Sequence, residues 1–337
     1  MSTPADSSSA PASDRGIGGA SAAGLSARHA RRTGVALAIV YLVWGSSFLA
    51  TKVMVTHEPP LLAAGLRFTL AGLLLGVIAW WRHGPPRFSR REARHVLTVM
   101  AGSVLVSNGF NVLAMQHVAS NVSAVLNATP ALMIAWLGTF GHRASPLSGT
   151  ARLGLVTGFG GVLLVLWPDD LAALGAGLRW QLLILVGCLG WSLATVYFRN
   201  ATLLNAPLTF LSLQMLAGGA ALLAWAAFRG DGLAMNWTPG GTAAFLWLTV
   251  MSSCLAYSAY QFLALHAAPV VVGSYAYVNP GIAALLGWLA LDETLTPAKL
   301  AGMAVILLGV ALVTGYAGRL VDLARRRSRG AYPLPPR

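Results

Sequence analysis

Two short polar runs, Ser107-Asn108-Asn111 and far downstream Tyr257-Ser258-Gln261, stand inside stretches that are otherwise apolar. Their amides and hydroxyls donate and accept hydrogen bonds, and helical spacing puts Asn111 on one face with Ser107 and Asn108. Hydrogen bonding between helices, worth about 0.6 kcal/mol per contact, is one use for such groups. Lining a polar cavity is the other, and recurrence of the pattern at two places favours it. A proline recurs in the same way, Pro130 in SAVLNATPALMIAWL and Pro280 in SYAYVNPGIAALLGW. Proline removes the helical hydrogen bond to the carbonyl four residues earlier, here Leu126 and Ala276. Freed carbonyls beside Asn127 and Thr129, or beside Tyr275, Tyr277 and Asn279, can take an ammonium or hydroxyl group. A kink re-satisfied by neighbouring Ser or Thr is the structural alternative, and hinges at Pro130 and Pro280 are compatible with both.

Arg67 is the basic residue that falls well inside an apolar run, with Gln214 as its uncharged counterpart. It either snorkels or pairs between helices, or it recognises a carboxylate or phosphate. Lys52 lies nearer a rim and reads as structural. Trp44 with Ser46 and Ser47, and Trp191 with Ser192, offer aromatic faces to a cation or an apolar group, or anchors to a lipid interface. The candidate cavity set is therefore Trp44, Ser47, Arg67, Asn108, Asn111, Asn127, Trp191, Gln214, Tyr257, Gln261, Tyr275, Tyr277 and Asn279. No motif holds a metal or calls for a cofactor. Cys188 and Cys254 read as small buried hydrophobes.

The elements that carry these residues are set by composition. Of 337 residues 56% are hydrophobic and 10% charged, against about a quarter charged in soluble domains; mean hydropathy is +0.66. This is the balance of a polytopic membrane protein. The net charge of +13 does not indicate nucleic-acid binding, because the basic residues sit in short loops and tails between apolar runs. Runs near the ~20 residues that cross a bilayer lie at 33–54, 60–81, 95–116, 119–139, 150–167, 180–198, 207–228, 241–264, 270–291 and 298–317. Residues 1–32, rich in Ser, Ala, Gly and Pro, read as a disordered tail, and the first run is long enough to stay as an anchor rather than act as a signal peptide.

Arg28, Arg31 and Arg32 precede the first run, and Arg82, Arg87, Arg90, Arg91 and Arg94 follow the second. Retention of Lys and Arg in the cytoplasm places both loops inside. Arg143, Arg152, Arg199 and the terminal ARRRSR then fall inside too, while Asp169, Asp170, Asp231, Asp292 and Glu293 fall outside. Both termini are expected in the cytoplasm.

Laid over the first half, the second half aligns PLLAAGLRFTLAG with LTFLSLQMLAG and SNGFNVLAMQHVA with YSAYQFLALHAA, and sets Gly154 and Gly161 opposite Gly302 and Gly309. Each repeat has five spans, an odd number, so the halves are inverted about an axis in the membrane plane. That is the architecture of alternating access with a site near the midplane. The expected fold is an all-α polytopic membrane protein of ten transmembrane helices in two inverted five-helix repeats. Its parts are a tail at 1–32, repeats at 33–167 and 180–317, an external linker at 168–179 and a basic cytoplasmic tail at 318–337. Gly72 and Gly76, and Gly154 and Gly158, fit small-xxx-small packing within the chain; an outer face for a homodimer is the other use.

VWGSSFLATK, PPLLAAGLRFTLAG and GSYAYVNPGIAALLGWLALDETLTPAKLAGMAVILLGVALV resemble the duplicated EamA domain of the drug/metabolite transporter superfamily, and within it the YedA-like bacterial inner-membrane permeases. The resemblance covers residues 33 to 317. It implies a central cavity lined mainly by the first four spans of each half, peripheral fifth and tenth spans, and small metabolites as substrates, often amino acids being exported.

The acidic residues fall in loops, tails or helix ends, so no buried protonation switch is visible and facilitated diffusion or exchange is the expectation. No HExxH, no carboxylate pair in the bilayer and no GxxxxGK[ST] loop supports a membrane enzyme or an ATP-driven pump. Among transport substrates a phosphorylated metabolite calls for several midplane cations, and a lipophilic cation calls for a membrane carboxylate. An amino acid or related zwitterion needs one cation plus polar and aromatic groups, which this inventory supplies. The expected partners are that small molecule and the lipid bilayer.

Overall fold

The computed structural model describes residues 30–140, 147–167, 177–230, 234–267 and 269–314, and every regular element among them is helical. The expected features at Arg143, Asp169, Asp170 and Asp231, and most of the two tails and the linker, lie outside the described residues. Nine helices among the described residues are long and apolar enough to cross a membrane, α1 (Ala30–His57), α2 (Pro60–His83), α3 (Arg90–Ala114), α4 (Ser120–Leu137), α5 (Gly149–Leu166), α6 (Leu178–Asn200), α7 (Pro207–Arg229), α8 (Pro239–His266) and α10 (Pro297–Thr314), and α9 (Tyr275–Leu291) is a shorter apolar helix that supplies the ninth span. A single helical turn, Pro269–Val272, precedes α9.

Local sequence explains the boundaries. Pro60, Pro207, Pro239 and Pro297 open their helices, where a fixed φ and a missing N–H cost nothing. Gly84 and Gly230, with φ of 77° and 70°, end α2 and α7 in backbone that a side chain would resist. Polarity is inverted relative to a soluble protein. Trp81 and Phe228 point outward at 87% and 91% exposure, while Asn121, Gln214 and Asn279 are buried. Hydrocarbon offers such amides no partner, so they turn into the protein, where Gln214 donates to the Ser103 hydroxyl.

The repeats pack on each other through equivalent helices. α2 lies along α7 and α5 along α10, while α1 meets α8 as α6 meets α3. Close approach is built from glycine. A Cβ on Gly161 would stand 2.6 Å from the Ile306 amide nitrogen, one on Gly154 2.7 Å from the Gly309 carbonyl, and one on Gly72 2.8 Å from the Leu216 nitrogen. A Cβ on Gly158 would press on Leu132. These small-residue faces are therefore covered within the chain, and α5 and α10 stand outside the central cavity.

The two prolines behave differently. In α4 the helix is interrupted at Asn127–Thr129 and restarts with Pro130 at its first position. The Leu126 carbonyl is not left free: it accepts the Thr129 N–H (3.0 Å), the Thr129 hydroxyl (2.7 Å) and the Cys188 thiol (3.5 Å). The expectation of an open acceptor there is corrected, because a threonine one residue before the proline reaches back to fill it. α9 instead runs unbroken through Pro280, and the interruption in the ninth span falls earlier, at Gly273–Ser274. Stretches of π-helix at Val40–Trp44, Ala101–Asn108 and Trp247–Ala256 were not legible in the sequence. The last two occupy corresponding parts of α3 and α8.

Candidate functional site

A central cavity of about 750 Å3, counting its mouth, runs from the middle of the bundle toward the end where α1 finishes. α1 contributes Trp44, Ser47, Phe48 and Thr51; α2 contributes Arg67; α3 contributes Ser107, Asn108 and Asn111. α4 adds Ala124, Asn127 and Pro130, α6 adds Trp191, and α8 adds Leu248, Ser252 and Tyr257. α9 closes the wall with Tyr275, Ala276, Asn279 and Pro280. No Asp or Glu is among these lining residues.

Arg67 is 3% exposed, so it neither snorkels nor reaches a headgroup. Its Nη2 donates to Asn108 Oδ1 at 3.1 Å, and its Nε, fully buried, has no partner. Asn108 is a three-way junction, since its Nδ2 donates to the Tyr257 hydroxyl (2.9 Å) and to the Ser103 carbonyl (2.8 Å). On the α4 side Asn111 Oδ1 accepts from the Ser123 hydroxyl at 2.9 Å, and Asn127 Nδ2 donates to the Ser123 carbonyl at 2.9 Å. Across the cavity Asn279 Oδ1 is buried without a donor. Two residues lining one space, Arg67 and Asn279, thus each hold a buried polar atom that is costly to leave unpaired.

The floor is aromatic. Trp44 packs against Trp191 (5.7 Å between centroids), Tyr257 (5.4 Å), Tyr260 (5.0 Å) and Tyr275 (5.6 Å), mostly edge to face. These edge-on contacts suit the ring quadrupoles and make one continuous partition below the cavity.

Three of the candidate residues stand elsewhere. Gln214 Nε2 donates to Ser103 Oγ at 2.8 Å, and with Gln261 it borders a smaller space beside α3. Both are displaced for one reason. α2 and α7 begin at opposite ends of the bundle, as α3 and α8 finish at opposite ends, so counterparts of Arg67 and Asn111 fall in the other half. Tyr277 turns toward α10, where its hydroxyl pairs with Thr314 at 2.7 Å; two residues from Tyr275, it lies on the far side of the helix. Lys52 donates to the Met115 and Val118 carbonyls at 2.8 and 3.1 Å, the structural role expected of it.

Phe48, Thr51, Leu248 and Ser252 were missed. Trp44, Ser47, Phe48 and Thr51 recur at i, i+3, i+4 and i+7, a face the sequence offered. Ser252 had no such signal: it shares the cavity with Tyr257, five residues on, where the preceding π-helix has widened the turn.

Two consecutive segments, residues 32–167 and 178–315, match the EamA-like transporter family. The chain belongs to that family. It is 31% identical over 285 residues to the uncharacterized inner membrane transporter YedA of Escherichia coli K12, covering 83% of this chain and 89% of the relative. It is also 25% identical to the uncharacterized transporter YvbV of Bacillus subtilis, over 84% of this chain and 91% of that one. A WAT1-related chloroplastic protein of Arabidopsis thaliana is 25% identical over 81% of this chain and 67% of its own length. A solved crystal structure superposes with a TM-score of 0.58 at 18% identity, over 86% of this chain and 98% of the other, a likeness of fold. The two EamA matches coincide with α1–α5 and α6–α10, so the cavity of this EamA transporter is bordered by both copies of the domain.

Proposed function

We propose that this EamA protein is a secondary carrier of the inner membrane that exports an amino acid or related zwitterion by alternating access. The observation that carries the reading is Arg67: a buried guanidinium with one hydrogen bond and an unpartnered Nε, on a residue lining a cavity whose described lining residues include no carboxylate. A ligand carboxylate fits that vacancy in charge and in planar geometry. The ligand ammonium is met by the unfilled Asn279 Oδ1, and its side chain by Trp44, Phe48 and Tyr275. A phosphorylated substrate would bring more negative charge than one guanidinium balances, and a lipophilic cation would meet Arg67 as a like charge.

The orientation that fits this reading has Arg87, Arg90, Arg91, Arg94 and Arg199 at the cytoplasmic face. The central cavity then opens toward the outside, and the inverted repeats supply the opposite state when they exchange conformations.

Counterflow in proteoliposomes tests the proposal. Vesicles preloaded with a pool of neutral amino acids should accumulate one labelled class against empty vesicles, and Arg67→Ala or Asn279→Ala should abolish it with the fold intact. Absence of counterflow by folded wild-type protein would overturn the amino-acid assignment and bring lipophilic cations forward.

A further inference from the structure

A second cavity of about 690 Å3 lies on the other side of the aromatic partition, walled by α4, α6, α8, α10 and the start of the ninth span. Tyr275 lines both cavities, and Tyr260, 6.0 Å from it, lines this one and not the central one. Two tyrosine rings therefore stand between the spaces.

The repeat image of the central cavity is the smaller space bordered by Gln214 and Gln261, but the second cavity also draws on spans that exchange between the repeats. Exchanging the repeats carries α1 onto α6, α4 onto the ninth span, and the ninth span onto α4. Among its walls the central cavity has the first, fourth and ninth spans, and the second has the sixth, ninth and fourth together with α8 and α10. Aligning Trp44 with Trp191 sets Phe48 of the central cavity opposite Thr195 of the second, and Lys52 opposite Arg199.

The two paired cations differ in what they do. Lys52 is consumed on the Met115 and Val118 carbonyls in the connection between α3 and α4. Arg199 is exposed and borders the second cavity, and it makes no hydrogen bond or ion pair with any described residue. The remaining wall is mostly apolar, with Ala131, Ile134 and Val272, and carries hydroxyls at Thr195, Tyr260, Tyr275 and Thr314 but no carboxylate among the described residues. A guanidinium with no hydrogen-bond or ion-pair partner among the described residues, at the mouth of an apolar pocket, matches a small molecule that has a carboxylate at one end and an apolar body.

We infer that this cavity is a receiving site on the basic face of the protein. Arg199 engages the substrate carboxylate there, before the Tyr260–Tyr275 partition admits the molecule to the central cavity. The nature of the anion rests on the amino-acid reading above; the existence of a separate access cavity does not.

Two measurements on the full chain decide it. In the Cys188→Ala, Cys254→Ala background, Ala131→Cys should react with a membrane-impermeant thiol reagent added at the basic face, and Ser107→Cys with reagent added at the opposite face. Oppositely sealed membrane vesicles give the two sides. Labelling of folded Ala131→Cys from the other face, or from neither, would overturn the site. In counterflow of neutral amino acids, Arg199→Gln should raise KM measured from the basic face about tenfold, the equivalent of one charge-assisted hydrogen bond, and leave KM from the opposite face unchanged. An unchanged KM from the basic face, or the same rise from both faces, would refute the role of Arg199. Should folded wild-type protein carry no amino acid, the carboxylate assignment falls with that reading, and the labelling still decides whether the cavity is an entrance.

Discussion

Replacing Arg67 by methionine removes the guanidinium while keeping an unbranched side chain of similar reach, and it separates binding from stability. Arg67 is 3% exposed and spends one hydrogen bond, to Asn108, of the five N–H groups a guanidinium carries. A carboxylate seated on the free edge would gain two charge-assisted bonds of about 1.5 kcal/mol each. Their loss is about 3 kcal/mol, or roughly a 150-fold rise in KM. Stability should move little, because removing a buried cation that meets only the Asn108 amide and the Phe68 ring, 4.3 Å from its centroid, relieves a desolvation cost that offsets the open acceptor on Asn108 and the lost cation–π contact. Counterflow kinetics and thermal unfolding in detergent, on the same preparations, read the two effects. Arg67→Lys should fall between, since it keeps the charge and loses the planar fork. A methionine variant with unchanged KM and a lowered Tm would refute the reasoning and make Arg67 a strut for Asn108.

Asn108→Ala should destabilise the protein by about 2 kcal/mol, seen in thermal unfolding, because Arg67 and Tyr257 both lose their shared partner. Gly161→Ala should cost about 1–3 kcal/mol, since its Cβ meets the Ile306 backbone at 2.6 Å, whereas Gly160→Ala, with nothing within 4 Å, should be neutral or stabilising. Tyr277→Phe should leave KM unchanged while removing the bond to Thr314; a large change in KM would put Tyr277 back among the cavity residues. Glu293→Gln weakens the cap on α4, where the carboxylate accepts the Ser120 and Asn121 amides at 2.8 and 3.1 Å, and hydrogen exchange at the Asn121 amide should quicken.

Hydrophobic run length and the recurrence of Pro60 with Pro207, or Gly154 with Gly302, determined the ten helices and the duplication, because crossing hydrocarbon demands a length and a polarity that are written residue by residue. The same logic singled out Arg67, Asn108, Asn111, Asn127 and Asn279, since polar groups inside apolar runs must turn inward. What tertiary structure alone decided is which of two repeat-equivalent residues reaches the same space. Alignment makes Gln214 a partner of Arg67 and Gln261 a partner of Asn111, yet inversion sends each pair to opposite halves of the bundle. It also decided how the Leu126 carbonyl is filled and where the helices widen into π-turns. These depend on neighbours such as Thr129, Cys188 and Ser103 arriving from other turns and helices, and a linear pattern holds no distance between them.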